Sequence, residues 1–169
     1  YEGDEGPNTG GMGSYSDTGF QLPFMQDGDY DAAVDIMEQT VAAIPDYKGV
    51  LYGQFMLTTE GPKVVEFNAR FGDPEAMNTL PVLATDFVDL LVAGREGESL
   101  PELEFEPKAT VCKYAVPEGY PTDPKAGAKV AINAESAGDA QLFYASVDAR
   151  EDGIYTTTSR SFAVVGVAD

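Results

Sequence analysis

Residues 64–75 read VVEFNARFGDPE, and they decide how the rest of this sequence is interpreted. The stretch predicts a β-strand that runs into a turn and then into a helix. Side chains alternate between the two faces of a strand, which predicts one apolar face and one polar face. The polar face is expected to carry Val64, Glu66, Asn68 and Arg70. A face with a carboxylate, an amide and a guanidinium suits a charged ligand.

Glu66 and Asn68 offer the oxygen ligands that hard cations prefer. Mg²⁺ typically takes one or two protein carboxylates and leaves its other positions to water and substrate phosphates. Arg70 would then contact a phosphate oxygen. The same alternation is also typical of any half-solvated antiparallel strand. Likewise, Asp73 and Pro74 predict an ordinary helix start, with Asp73 as N-cap, so the pattern alone leaves both interpretations open.

A second motif, GPNTGGMG, occupies residues 6–13. A glycine-rich loop lets backbone N–H groups approach an anion closely. Composition alone nevertheless favours a flexible surface loop at this place.

The composition is strongly acidic, with 10 basic and 29 acidic residues and a net charge of −19. Such a chain repels nucleic acid and anionic membranes, so neither is an expected partner. The acidic residues are scattered and lysine is scarce. We therefore favour a solubility adaptation to a salt-rich (halophilic) cytoplasm over a cation-binding surface.

The chain has one cysteine, Cys112, and no histidine. These counts exclude an internal disulfide, Ser-His-Asp catalysis and any histidine-ligated metal. Cys112 lies in an apolar strand pattern, and no histidine is present to activate it, so we expect a buried structural thiol.

The pattern predicts an α+β fold in two domains. Gln54 is expected close to the face that carries Glu66 and Asn68. An acidic, proline-containing connection over residues 95–107 predicts a domain boundary, giving domains 1–107 and 108–169. Expected helices cover residues 31–44, 73–80 and 85–93, and expected strands cover 50–58, 63–68, 110–116, 129–132, 142–147, 154–157 and 161–167.

Three stretches together resemble one enzyme family: residues 48–58 (KGVLYGQFMLT), residues 60–75 (EGPKVVEFNARFGDPE) and residues 6–13. Weaker similarity continues through residues 118–121 and 158–160. The family is phosphoribosylamine-glycine ligase, also called glycinamide ribonucleotide synthetase, of the ATP-grasp superfamily. The resemblance implies that residues 1–107 are the C-terminal part of an ATP-grasp domain. Residues 108–169 would be a small β-rich C-terminal domain that is cut short.

The resemblance also implies a reaction. ATP, glycine and 5-phosphoribosylamine would give glycinamide ribonucleotide, ADP and phosphate through glycyl phosphate, with Mg²⁺ or Mn²⁺ as the cofactor. Glu66 and Asn68 would bind the metal, and Arg70 would be catalytic by stabilising charge on the transferred phosphoryl group. The substrate-binding residues implied by the resemblance are Asn8, Thr9, Gly10, Gly11, Asp73, Glu75 and Arg160.

The adenine-contacting lobe of an ATP-grasp enzyme is expected upstream of residue 1, so this chain alone is not expected to turn over. The full-length enzyme is expected to be a cytoplasmic monomer. Two alternatives stay open: a different ATP-grasp carboxylate-amine ligase, and a non-catalytic acidic module that binds divalent cations.

Overall fold

A computed structural model describes residue 3, residues 5–19 and residues 21–169. It confirms the predicted α+β class. The elements in chain order are β1 (Gly13–Ser16), α1 (Asp29–Ala42), β2 (Tyr52–Thr58), β3 (Gly61–Asn68), α2 (Ala76–Thr79), a 3₁₀ turn (Leu80–Val82), α3 (Phe87–Glu96), β4 (Ala109–Ala115), α4 (Ala134–Ala137), β5 (Gln141–Tyr144), β6 (Val147–Arg150), β7 (Gly153–Thr156) and β8 (Phe162–Ala168).

The chain forms two compact units. One, here called the discontinuous unit, combines Tyr1–Tyr15, Asp73–Asn78 and Ala109–Asp169. The other, the middle unit, combines Ser16–Gly72 and Thr79–Lys108. Two early segments therefore pack with the C-terminal strands. The division of the chain into domains 1–107 and 108–169 stays a prediction.

The discontinuous unit is built on a four-stranded sheet in the order β1-β4-β8-β5. β4 and β8 are antiparallel, with Cys112 opposite Val165 and Tyr114 opposite Ala163. These four side chains point to one face and form the buried core of the unit. Met12, Met77 and Phe143 pack against it. The buried thiol predicted for Cys112 is confirmed.

A buried polar cluster links three segments of this unit. The Asn78 side chain is 2% exposed and donates from Nδ2 to Thr110 Oγ1 at 2.9 Å and to the Ser14 carbonyl at 3.3 Å. The Ser14 hydroxyl donates in turn to Asn78 Oδ1. A buried amide is costly unless its donors and acceptor are satisfied, and here they are.

Thr110→Val is expected to destabilise the chain by about 1–3 kcal/mol, because it leaves the Asn78 donor buried without its side-chain acceptor. The free energy of unfolding in urea measures the effect.

Ser161→Ala is the matched comparison. The Ser161 hydroxyl is equally buried and has no hydrogen-bond partner among the described residues. Removing an unsatisfied hydroxyl is expected to leave the stability unchanged or to raise it. Equal losses in the two variants would contradict the role given to the Asn78 cluster.

The middle unit contains the antiparallel hairpin β2–β3, against which α1 packs. Tyr52 pairs with Asn68 and Gln54 pairs with Glu66, so these side chains share a face. The predicted proximity of Gln54 to Glu66 is thus confirmed.

A bulge interrupts β3 at Val65. The register passes from Gln54–Glu66 directly to Phe55–Val64. An extra residue in one strand shifts the alternation. The prediction that Val64 shares the face of Glu66 is therefore wrong, since Val64 lies with Phe55.

Four local predictions differ from the structure. Residues 129–132 form one isolated bridge, between Lys129 and Tyr155, and no named strand. The stretch over residues 6–13, for which composition favours a loop, runs into β1 at Gly13. The predicted strand 142–147 is divided between β5 and β6. Helix α3, predicted to end at residue 93, passes through Gly94 and ends at Glu96, and Gly97 with a φ of 74° provides the left-handed cap.

An apolar groove of about 750 Å³ opens in the middle unit. Tyr47, Phe71, Leu83, Phe87, Leu90 and Phe105 are among its lining residues. None of the predicted site residues lines it. Within the described ranges, no helix combines the length and apolar character that crossing a bilayer requires.

Candidate functional site

A row of polar side chains follows the end of β3. Asn68 Nδ2 donates to Glu66 Oε1 at 2.8 Å, and Arg70 Nη2 donates to Asn68 Oδ1 at 3.2 Å. Arg70 Nη1 donates to the Phe71 carbonyl at 2.8 Å. Glu66 and Arg70 are exposed and Asn68 is half-buried. The strand thus presents a carboxylate, an amide oxygen and a guanidinium to solvent, in contact with one another.

The donor chemistry of this row fits a hard divalent cation. Glu66 supplies one carboxylate and Asn68 one amide oxygen, while Gln54 opposite Glu66 is neutral. Among the described residues, no group of three or more His, Cys, Asp or Glu side chains could hold a metal. A sparse oxygen set of this kind suits Mg²⁺, which keeps water and substrate phosphates as its remaining ligands.

A second cluster, here called the Arg160 cluster, consists of Gly11, Asp73, Tyr114 and Arg160. Arg160 Nη1 donates to the Gly11 carbonyl at 2.6 Å, and Nη2 donates to Asp73 Oδ2 at 2.8 Å. The Tyr114 hydroxyl donates to Asp73 Oδ1 at 2.7 Å. The guanidinium carbon lies 4.5 Å from the centre of the Tyr114 ring. The cluster joins three distant parts of the sequence within the discontinuous unit.

The predicted helix start at Asp73 differs from the structure. The helix begins at Ala76, and the peptide between Asp73 and Pro74 is cis. The Asp73 carboxylate accepts hydrogen bonds from Tyr114 and Arg160, and the helix begins three residues later, so the predicted N-cap position is wrong.

Close approach leaves no room for a side chain at Gly11 and little room at Gly10. A Cβ on Gly10 would lie 3.0 Å from Arg160 Cζ. A Cβ on Gly11 would lie 2.6 Å from Pro74 Cδ and 3.2 Å from the Asp73 carbonyl oxygen. All three distances are shorter than ordinary van der Waals contact. The loop therefore reaches its position against Asp73 and Arg160 because it lacks side chains there.

Burial and nearby charges raise the pKa of two core side chains, Tyr114 and Cys112. The pKa of Tyr114 is raised by burial, then by its hydrogen bond to Asp73 and by the Asp73 charge, while Arg160 acts in the opposite direction. Tyr114 therefore remains a protonated donor. The pKa of Cys112 is raised by burial first and by the charges of Asp73 and Glu75 next.

Cys112 is consequently expected to react slowly with a thiol reagent in the folded chain. Its side chain is 1% exposed and its raised pKa keeps the thiolate fraction low at pH 8. Reaction with Ellman's reagent, with and without denaturing urea, tests this. Equally fast labelling in both conditions would contradict the inert thiol.

The structure brings some of the predicted site residues together. Gly10, Gly11, Asp73 and Arg160 meet in the discontinuous unit, where Glu75 is half-buried two residues beyond Asp73. Asn8 and Thr9 are exposed in the preceding loop. Glu66, Asn68 and Arg70 belong to the middle unit.

Sequence reasoning missed Tyr114. Its parity with Cys112 in an apolar strand indicates a buried side chain, but nothing in the sequence links it to Asp73.

Comparison with known proteins matches both ends of the chain to one family. Residues 1–76 match the profile described as "Phosphoribosylglycinamide synthetase, ATP-grasp (A) domain". Residues 110–169 match "Phosphoribosylglycinamide synthetase, C domain".

Two curated relatives that match this chain over its whole length are named phosphoribosylamine-glycine ligase. A phosphoribosylamine-glycine ligase of Methanosarcina barkeri is 56% identical over 176 residues, covering 100% of this chain and 40% of that protein. The ligase of Methanocella arvoryzae is 57% identical over 176 residues, with the same coverage of 100% and 40%. The chain thus spans about two fifths of the length of these relatives.

Two solved structures resemble the fold. Phosphoribosylamine-glycine ligase of Thermotoga maritima superposes with a TM-score of 0.79 at 26% identity, covering 98% of this chain and 41% of that one. N5-carboxyaminoimidazole ribonucleotide synthetase of the same organism gives a TM-score of 0.62 at 17% identity, covering 85% and 38%, and shows a similar fold alone.

Proposed function

Because the chain belongs to the phosphoribosylglycinamide synthetase family, we propose that it carries part of the site at which ATP drives the ligation of glycine to 5-phosphoribosylamine. The observation that carries the proposal is the row of Glu66, Asn68 and Arg70, which lies inside the segment matched by the ATP-grasp profile. The reaction would yield glycinamide ribonucleotide for purine synthesis. We place it in the cytoplasm and expect a monomeric full-length enzyme.

Glu66 and Asn68 would hold a divalent cation, Mg²⁺ or Mn²⁺, together with ATP phosphates. The cation would neutralise phosphate charge when bound. The Arg70 guanidinium is held by its contacts with Asn68 and the Phe71 carbonyl. Its positive charge at the strand end would stabilise the negative charge that spreads over the transferred phosphoryl group.

The chemistry needs positioning and charge neutralisation more than a covalent protein group. A glycine carboxylate oxygen would attack the γ-phosphorus, and the bond to the β-γ bridging oxygen would break, giving glycyl phosphate and ADP. The amine of phosphoribosylamine would then attack the acyl carbon, and phosphate would leave as the amine loses a proton. Asn8, Thr9 and the adjoining glycines would contact substrate, and the Glu75 carboxylate would suit an ammonium group.

Phosphate release from ATP tests the proposal. The chain is assayed in concentrated KCl with Mg²⁺, with and without glycine and freshly generated phosphoribosylamine. It is expected to be silent because it spans about two fifths of its curated relatives.

A chimera completes the test by placing this chain in the 176 matched residues of the Methanosarcina barkeri ligase. Release that requires both substrates would support the proposal. Release with a different carboxylate would indicate another ATP-grasp ligase, and silence from a folded chimera that still binds a divalent cation would leave the acidic cation-binding module.

A further inference from the structure

The side chains of the Arg160 cluster are paired with one another and with the loop backbone. Asp73 Oδ1 accepts from Tyr114 and Asp73 Oδ2 accepts from Arg160. Arg160 Nη1 is shared between the carbonyls of Gly11, at 2.6 Å, and Asp73, at 3.2 Å. A substrate ammonium group that approached Asp73 would share a carboxylate whose charge already pairs with the Arg160 guanidinium, so Asp73 would attract it less than an unpaired carboxylate would.

The cluster also rests on the buried core of its unit. Tyr114 is 6% exposed and belongs to the core formed by β4 and β8. Arg160 stands just before β8, and its carbonyl accepts from the Ser146 backbone at 3.0 Å. The Arg160 side chain is only 17% exposed, whereas that of Asp73 is 45% exposed. Tyr114 and Arg160 thus connect the buried core to Asp73 and the loop through their side-chain hydrogen bonds.

We propose that Tyr114 and Arg160 are positioning residues that fix the Gly10–Gly11 loop and Asp73 in the geometry that substrate binding requires. This inference rests on the proposed function and changes two of the expected roles. Arg160 and Asp73 hold the loop and do not contact substrate. Tyr114 joins them although its ring is buried beneath the guanidinium.

The chain contains a matched control for this arrangement. On the hairpin formed by β6 and β7, the Tyr155 hydroxyl donates to Asp152 Oδ2 at 2.7 Å. Arg150 lies over the Tyr155 ring at 4.2 Å. The same three residue types therefore meet at the surface, with both Asp152 and Arg150 exposed. Tyr155→Phe removes an equivalent hydrogen bond that supports no part of the loop.

Steady-state kinetics of the chimera provide the first test. Tyr114→Phe is expected to lower kcat about ten- to hundredfold while the KM for ATP stays unchanged, because a misplaced loop impairs alignment of the reacting groups. Tyr155→Phe is expected to stay within about twofold of the unaltered chimera. Arg160→Lys keeps the charge but loses the forked contacts, so it should resemble Tyr114→Phe.

A double variant tests whether Tyr114 and Arg160 act through the same loop or have independent effects on the rate. If Tyr114 and Arg160 act through the same loop, the combined loss in Tyr114→Phe/Arg160→Lys is smaller than the product of the two single losses. Fully multiplicative losses would overturn the shared role. A raised KM for phosphoribosylamine alone in Arg160→Lys would instead indicate substrate contact and would also overturn it.

Hydrogen exchange of the chain itself supplies a readout that does not depend on activity. Peptides covering residues 5–15 are expected to exchange at least about threefold faster in Tyr114→Phe than in the unaltered chain. Peptides covering β7 should not change, and Tyr155→Phe should show the opposite pattern. Unchanged exchange over residues 5–15 in Tyr114→Phe refutes the positioning role of Tyr114, even if the chimera is active. A folded but inactive unaltered chimera, together with faster loop exchange in Tyr114→Phe, refutes the proposed function and supports the positioning role of Tyr114.

Discussion

Glu66→Gln is expected to reduce ATP-dependent phosphate release by the chimera at least about hundredfold, the loss typical when a group that organises transition-state charge is removed. The substitution keeps the shape of the side chain and an oxygen that can accept the hydrogen bond from Asn68 Nδ2. It removes the negative charge. Gln54, which pairs with Glu66 across the hairpin, is neutral and cannot replace it.

The control for this prediction lies on the same hairpin. Glu60 forms an exposed pair with Lys63 at 3.5 Å, and exposed pairs of this kind contribute little. Glu60→Gln should therefore keep activity within about twofold. A loss of less than fivefold in Glu66→Gln would argue against a metal role for Glu66. Isothermal titration with Mg²⁺ and ATP shows whether binding or turnover is affected.

Gly11→Ala is expected to destabilise the discontinuous unit by about 1–3 kcal/mol, the range for overpacking in a close-packed site. The new methyl group would meet the Pro74 ring at 2.6 Å and the Asp73 carbonyl at 3.2 Å. Neither neighbour is the free end of a flexible side chain, so the loop itself must move. That movement would break the bond from Arg160 to the Gly11 carbonyl.

Gly166→Ala tests whether any added methyl group would act in the same way. Gly166 lies in β8, and a Cβ there meets nothing within 4 Å. Its urea unfolding midpoint is expected to match that of the unaltered chain. In the chimera, Gly11→Ala should also lose at least about tenfold in kcat. Unchanged stability and activity in Gly11→Ala would show that the loop is not held as the structure describes.

The sequence was most informative where local pattern and packing agree. The hairpin β2–β3, the strands β4 and β8 and the buried Cys112 follow from alternation of apolar and polar residues. The bulge at Val65 could not be predicted, because an added residue in one strand leaves no mark in composition. Strand 129–132 was predicted from apolar residues that form only one bridge.

In the candidate site, too, local pattern predicted some residues and missed the contacts of others. The oxygen donors Glu66 and Asn68 could be selected by their chemistry and their parity on one strand. Asp73 was ambiguous, since its position before Pro74 and Glu75 is typical of a helix start. Its actual partners lie 41 and 87 residues away along the chain. Long-range partners of this kind depend on tertiary packing and cannot be derived from local propensity.

The bond from Arg160 to Gly11 closes a loop of 149 residues, and this has a consequence for synthesis on the ribosome. Arg160 is translated 149 residues after Gly11 of the glycine-rich segment. At a rate of about 5–20 residues per second, the segment waits roughly 7–30 s for Arg160. Until then Gly11 lacks the Arg160 guanidinium, so the contacts of the loop are completed only after Arg160 has been made.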